Sequence, residues 1–141
     1  MSIWTITPTL EGINATGAGT AVETMGIRFI EIGDDYLKAE MPVDQRTIQP
    51  AGILHGGASV VLAETLGSTA AYLTVDQSTS QPVGLDINAN HIRAVPNGGK
   101  VIGTCRPIHL GRTTQVWEIQ LHDEQGRLTC ISRLTMAIKT R

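Results

Sequence analysis

A single carboxylate, Glu64, stands in the middle of a long apolar stretch and is the first candidate for chemistry. It is the only formally charged residue between Thr47 and Val75. Burying a carboxylate without a partner costs roughly several kcal/mol, so the sequence must compensate for it. Glu64 can act as a nucleophile or general base in a pocket, or it can pair with a strand arginine such as Arg93 or Arg133. The sequence leaves both interpretations open.

A second candidate group lies where the apolar stretch begins, at His55, Gly56 and Gly57. The first amides of a helix have no intrahelical partners and carry the positive end of its dipole, so they can stabilise an oxyanion. A glycine at this point lets a substrate carbonyl approach the backbone closely. Gln49, just upstream and next to a proline, adds a side-chain amide donor. These residues predict an oxyanion site at the start of a helix.

Two further residues of the stretch follow Glu64. Ser68 lies one helical turn later on the same face, where its hydroxyl could orient the carboxylate or a water, or could simply fill space. Gly67 costs about 1 kcal/mol relative to alanine inside a helix. It indicates either close packing against a second helix or a kink.

The spacing of the two candidate groups predicts a dimer. Gly56 and Glu64 are eight residues apart, or about 12 Å along a helix, so one helix cannot readily offer both groups to the same carbonyl carbon. Two antiparallel copies of the helix, related by a two-fold axis, would bring Gly56 of one chain level with Glu64 of the other. We therefore expect a homodimer with two shared sites.

The elements that must position these groups are one long helix and a set of strands. A helix is predicted from about residue 55 to 73, and because it is apolar all round, we expect it in the centre of the molecule. Strands with turn residues between them are predicted over residues 26–32, 36–43, 83–94, 100–108, 113–122 and 128–139. A further helix is predicted to start with Thr7 as its N-cap and Pro8 as its first residue. The pattern predicts one α+β domain over residues 1–141, with a curved antiparallel sheet of five to six strands around the central helix.

Composition narrows the class of protein. A net charge of −2 argues against a nucleic-acid binder with a broad basic face. No apolar stretch is long enough to cross a bilayer and no secretion signal is recognisable, so we expect a cytoplasmic protein that does not bind membranes. Residues 71–141 contain eight Lys/Arg and five Asp/Glu. This excess of positive charge either favours binding of a phosphorylated ligand or arises by chance. Cys105 and Cys130 are expected to be free core thiols.

The motifs carry a resemblance to a known family. The run from Gln49 to Glu64, QPAGILHGGASVVLAE, resembles the signature of hotdog-fold acyl-CoA thioesterases, in the branch with a glutamate on the central helix. The segments MPVD at 41–44, GLDINANH at 84–91 and HLGR at 109–112 extend the resemblance over nearly the whole chain. The branch includes enzymes of menaquinone and enterobactin biosynthesis and 4-hydroxybenzoyl-CoA thioesterases. The resemblance implies a hotdog fold and hydrolysis of an acyl-CoA thioester, with an aromatic acyl group.

The resemblance also implies catalytic roles. Glu64 attacks the thioester carbonyl or activates the water that does so, and the Gly56 amide donates to the oxyanion. Gln49 and His55 hold the carbonyl and the helix start, while Ser68 lines the acyl and water side of the pocket.

Substrate contacts are implied in the same way. His91 lies on the acyl and water side, and coenzyme A enters as part of the substrate, with no other cofactor and no metal. The branch also implies that the dimers assemble into a homotetramer. The residues expected at the nucleotide and pantetheine parts of coenzyme A are Arg93, His109, Gly111 and Arg112.

Three alternatives remain at this point. A dehydratase or hydratase of the same fold also uses a histidine and a carboxylate near the central helix. A non-catalytic acyl-CoA-binding protein would need a partner or DNA-binding domain. A metal site could be built from His55, His91 and His109, although these residues lack ligand spacing.

Overall fold

The computed structural model describes all 141 residues of the chain. Each predicted strand is present, and its bounds differ from the prediction by at most three residues. The central helix begins one residue later than predicted and ends where predicted. The elements are α1 (Leu10–Ala15), α2 (Ala21–Thr24), β1 (Arg28–Ile32), β2 (Leu37–Pro42), α3 (Gly56–Leu73), β3 (Ser80–His91), β4 (Lys100–Leu110), β5 (Thr114–Asp123) and β6 (Leu128–Thr140).

The six strands form one antiparallel sheet in the order β1-β2-β4-β5-β6-β3. Helix α3 packs against β2, β3, β4, β5 and β6, so the sheet curls around it. This arrangement confirms the α+β prediction. None of the helices is both long enough and apolar enough to span a membrane.

One side of α3 is sealed against the sheet. Leu62, Ala63 and Leu66 have no exposed surface, and their burial provides much of the core. A Cβ atom at position 67 would lie 2.5 Å from Leu134 Cδ2, so Gly67 faces β6 of its own chain. The interpretation of Gly67 as a contact between two helices is therefore wrong. The glycine is needed because the helix and its sheet approach each other so closely.

The other side of α3 is only partly covered within the chain. We call it the open face, and it consists of Val61, Glu64, Thr65, Ser68 and Tyr72. Four of these residues are half-buried, and Tyr72 is 44% exposed. The expectation of a helix buried all round is thus wrong for a single chain, because the apolar sequence has more surface than one sheet can cover.

The N-terminal segment is tied to the end of α3. The Thr5 backbone N–H donates to the Leu73 carbonyl (2.8 Å), and the Thr5 hydroxyl donates to the same oxygen (3.0 Å). Helix α1 begins only after Thr9, whose hydroxyl accepts from the Gly12 N–H (3.0 Å). The predicted N-cap, Thr7, is therefore wrong, since the chain is bound to the end of α3 at Thr5 and turns into a helix only after Thr9.

The two edges of the sheet differ. At β1, the Asn14 side chain accepts from the Phe29 N–H (2.8 Å) and donates to the Phe29 carbonyl (3.0 Å), so it takes the place of a further strand. At the other edge, β3 pairs only with β6. Leu85, at a bulge in β3, is 64% exposed. One edge is covered and the other is open.

Both cysteines are free and buried in the core, as predicted. Desolvation raises the pKa of the Cys105 and Cys130 thiols above their ordinary value. Neither thiol is activated for chemistry.

Candidate active site

The start of α3 presents one unpaired backbone donor. The His55 side chain caps the helix, because its Nδ1 accepts from the Gly57 N–H at 2.8 Å. The N–H groups of Ala58 and Ser59 donate to the His55 carbonyl (3.0 and 3.2 Å). The Gly56 N–H has no acceptor within the chain. Of the first four amides, only the one predicted as the oxyanion donor is free for a ligand.

His91, the last residue of β3, lies over this helix start. A Cβ atom at position 56 would be 2.9 Å from His91 Nε2. Gly56 is therefore required for the imidazole to rest against the first turn, since any side chain there would displace it. The resemblance implied that His91 lies with Ser68 on the acyl and water side of the pocket, whereas within one chain His91 lies at the helix start and lines a different cavity from Ser68.

A cavity of about 310 Å³ lies at the helix start and is lined by four of the ten predicted site residues, Gln49, Gly56, His91 and Arg93. Gln49 Oε1 accepts from the Ala51 N–H (2.5 Å), which leaves the amide nitrogen of Gln49 as a donor. Exposed Arg93 supplies a positive charge beside the cavity. The lining residues are Gln49, Ile53, Leu54, Gly56, Ser59, His91, Ile92, Arg93, Ala94, Val95 and Thr129.

Glu64 lies outside this cavity, two turns further along α3. Its Oε1 is 3.0 Å from the position of a Cβ atom at residue 84, so Gly84 of β3 makes room for the carboxylate. Glu64 takes part in no hydrogen bond and no salt bridge within the chain. The alternative in which Arg93 or Arg133 neutralises it is therefore wrong. The carboxylate is half-buried and unpaired.

Ser68 lines a different and larger cavity, of about 570 Å³. The C-terminal half of α3 forms one wall, including Tyr72, and the N-terminal segment forms the other. The structure thus separates the predicted catalytic residues into two groups. Gly56, Gln49 and His55 lie at the helix start, and Glu64 and Ser68 lie on the open face.

The remaining predicted contacts lie at the opposite end of the sheet from His91. His109 lies at the end of β4 and Gly111 and Arg112 lie in the turn that follows, where a Cβ atom at position 111 would be 2.5 Å from His109 Nε2. This turn adjoins the first half of β3 through β6, because Thr114 pairs with Ala137 and Ala137 with Val83. Within one chain these residues do not meet Arg93.

Two residues of the site were missed by sequence reasoning. Gly84 had a recognisable signal, since an isolated glycine in a strand marks a bulge or a close approach. Ser59 lines the cavity at the helix start but stands inside an apolar motif, and its direction depends on the rotation of α3 about its axis. That rotation is not readable from a helix that is apolar on every side.

Comparison with known proteins places the chain in a family. The model of the thioesterase superfamily matches residues 51–130. The chain belongs to the thioesterase superfamily. Its 1,4-dihydroxy-2-naphthoyl-CoA hydrolase relative from Escherichia coli is 57% identical over 136 residues, 96% of this chain and 98% of that protein. The proofreading thioesterase EntH of Cronobacter turicensis is 56% identical, over 96% of this chain and 98% of that protein.

Solved thioesterase structures agree with this assignment. A mutant thioesterase from Pseudomonas aeruginosa, 52% identical, superimposes with a TM-score of 0.97 over 99% of this chain and 100% of that one. A thioesterase from Haemophilus influenzae, 48% identical, gives a TM-score of 0.94 over 98% of this chain and 95% of that one. The hotdog fold is confirmed, and the chain is a thioester hydrolase. The hydratase and the non-catalytic binding protein are not supported.

Proposed function

We propose that this thioesterase hydrolyses an acyl-CoA to the free acid and coenzyme A. The observation that carries the proposal is the pair of unsatisfied groups on α3, the Gly56 N–H and the Glu64 carboxylate. A free amide at a helix start stabilises the negative charge that develops on a carbonyl oxygen. A carboxylate without a cation beside it remains available as a nucleophile or base.

The reaction needs one bond made and one broken at the carbonyl carbon. Glu64 either attacks the carbon and forms an anhydride that water then hydrolyses, or removes a proton from the attacking water. In both routes the carbonyl oxygen carries negative charge next to the Gly56 N–H. The C–S bond then breaks. In the general-base route the thiolate takes up the proton that Glu64 removed from water. In the anhydride route solvent protonates the thiolate, and hydrolysis of the anhydride by water releases the acid and restores the Glu64 carboxylate. Gln49, through its free amide nitrogen, and His55, as the helix cap, hold the carbonyl and the first turn in place.

We further propose that each site is shared by two chains. Gly56 and Glu64 are about 12 Å apart along the helix axis, and they open onto different surroundings in one chain. Apart from Glu64, the open face of α3 carries no charged residue, and its other polar groups are hydroxyls, which suits burial against a second copy. The uncovered edge of β3 offers free backbone groups for pairing.

The contacts of β3 support the same pairing. Glu64 rests on Gly84, and His91 rests on Gly56. An antiparallel pair of β3 strands with its two-fold axis between residues 87 and 88 would set Gly84 opposite the second copy's residue 91. Glu64 would then come level with the helix start of the other chain, as the helix spacing also requires.

A shared site also gives places for the acyl group and for the coenzyme A part of the substrate. The cavity beside Ser68 takes the acyl group, and we propose an aromatic one such as 1,4-dihydroxy-2-naphthoyl, by similarity to the Escherichia coli relative. Antiparallel pairing also brings the β4–β5 turn of one chain towards Arg93 of the other. His109, Gly111 and Arg112 would then contact coenzyme A together with Arg93.

The proposal includes no cofactor beyond the coenzyme A of the substrate, no metal and no nucleic-acid or membrane partner. A cytoplasmic location accompanies an acyl-CoA substrate. The dimers are proposed to assemble into a homotetramer, which sedimentation analysis would test directly.

The deciding experiment mixes two inactive variants. Gln49→Ala and Glu64→Ala are co-expressed with different tags, and the mixed dimer is isolated. If the site is shared, one site of each mixed dimer carries both substitutions and the other is wild type, so it recovers about half of the wild-type activity. If each site lies within one chain, every site carries one substitution. Activity no higher than the mean of the two parents would then refute the shared site.

A panel of aromatic and aliphatic acyl-CoAs, compared by kcat/KM, tests the acyl group separately. The proposal requires the highest value for a bicyclic aromatic acyl group. A preference for long aliphatic chains would contradict the assignment of the cavity beside Ser68, without affecting the shared site.

A further inference from the structure

Ser59 is a buried hydroxyl that the reaction described above does not use. The residue is only 3% exposed, and its hydroxyl has no hydrogen-bond partner among the side-chain and backbone groups of the chain. No fully buried side-chain oxygen or nitrogen in the protein lacks a partner. The Ser59 oxygen must therefore retain accessible surface, and that surface faces the cavity at the helix start, which Ser59 lines.

The position of this hydroxyl relates it to the oxyanion donor. Ser59 follows Gly56 by three residues, about 4.5 Å along the helix axis, and both line the same cavity. A polar group of the substrate that contacts Ser59 must lie a short distance from the carbonyl held by Gly56. Because the Ser59 oxygen keeps accessible surface and has no partner in the chain, a ligand in the cavity can hydrogen-bond to it, and such a bond stabilises the complex.

The lining of the cavity fits the thiol side of the substrate better than the acyl side. The acyl group has its own cavity beside Ser68. The cavity at the helix start contains no carboxylate, has apolar residues such as Ile92 and Val95, and has Arg93 beside it. An arm of methylene groups and amides that ends in phosphates would match these features. In coenzyme A the first amide of that arm is separated from sulfur by two methylene groups.

We propose that Ser59 hydrogen-bonds to this first amide and makes the enzyme selective for thioesters of pantetheine-type thiols. The inference rests on the proposed function, because it takes the Gly56 amide as the site of the carbonyl oxygen. Ser59 binds the substrate at a point remote from the reacting carbon. It therefore contributes to recognition of the thiol and leaves the chemical step alone.

The test removes the Ser59 hydroxyl from the enzyme, the first amide from the substrate, or both. Benzoyl thioesters of N-acetylcysteamine and of an alkyl thiol of equal length are compared by kcat/KM, in the wild type and in Ser59→Ala. The wild type is expected to prefer the amide-bearing thioester. Ser59→Ala should reduce that preference by between about twofold and tenfold, the worth of one neutral hydrogen bond. Its rate on the alkyl thioester should be unchanged.

Ser132→Ala is the matched control. Ser132 is also 3% exposed, but its hydroxyl faces the Ile119 carbonyl inside the sheet (3.5 Å). We expect it to leave the ratio between the two substrates unchanged, even if stability falls. Ser59→Cys, which is nearly isosteric and only a weak donor, should behave like Ser59→Ala and excludes an effect of lost volume.

Two results would overturn the inference. An equal loss on both thioesters would show that Ser59 acts at the carbonyl or through packing, and an unchanged ratio would show that it makes no contact with the amide. If the wild type hydrolyses no acyl-CoA, the proposed function fails instead. The failure of the inference is thus distinguishable from the failure of the function on which it rests.

Discussion

The two faces of α3 differ in composition, since aliphatic residues and glycine face the sheet and mostly polar residues lie on the open face. The face against the sheet is sealed so tightly that position 67 admits only glycine without displacing Leu134. The open face holds the unpaired Glu64 carboxylate and the Ser68 hydroxyl, and the same chain covers it only in part, through Gly84 of β3 and the N-terminal segment. The residues that pack the core and the residues proposed for catalysis thus lie on opposite sides of one helix. A mutation scan along α3 should therefore divide into two classes.

The largest effect is expected on the open face. Glu64→Gln should lower kcat by at least about 10³-fold with the fold intact, because the only nucleophile or base is lost. Steady-state kinetics together with thermal unfolding would measure this. Thr65→Ala is the neighbouring control, since the Thr65 hydroxyl bonds only to the Val61 carbonyl one turn earlier (2.7 Å). A loss in Glu64→Gln of less than tenfold would remove Glu64 from the mechanism.

The sealed face should show the reverse pattern. Leu66→Ala removes a side chain with no exposed surface and should reduce the free energy of unfolding by about 2–5 kcal/mol. The kcat of the folded fraction should change little. Denaturant unfolding would give the stability, with Thr65→Ala again as the control. If Leu66→Ala abolished kcat at full stability, the division between the faces would be contradicted.

The smallest effect tests how far the chemistry of the open face extends. Arg93→Ala and Arg112→Ala should each raise KM for an acyl-CoA by up to about tenfold and leave kcat largely unchanged. Contacts with remote phosphates stabilise the ground state and the transition state equally. An acyl-pantetheine without the nucleotide is the control substrate. An equal rise in KM for that substrate would mean that neither arginine contacts the phosphates.

The sequence predicted the elements well because their signals are local. Turn residues such as Asp123 and Gly126 mark the ends of strands, and the His55-Gly56 start marks the helix to within one residue. The Thr7 prediction failed because a distant residue, Leu73, holds the chain next to it. Local patterns do not report contacts of this kind.

The candidate site was only half predictable for a related reason. Glu64 and Gly56 were recognisable as types of residue in an unusual setting. Whether Gly67 and Ser59 face the sheet depends on the rotation of α3 about its axis. The largely apolar sequence of the helix does not show which side packs against the sheet. The cavity at the helix start also requires His91 from a distant strand, whose register no local pattern supplies.

The Asn14 side chain that covers the outer strand β1 has a consequence for assembly. A sheet with two free edges can add copies at both ends and grow into a ribbon or fibre. Here Asn14 takes both backbone groups of Phe29, so addition of a strand is blocked on that side. Copies that join through β3 use the single remaining edge, and growth stops after one step. A small helix packed beside one strand thus prevents continuous growth of the sheet through its edges, and it leaves the other surfaces free for the proposed assembly of dimers into a homotetramer.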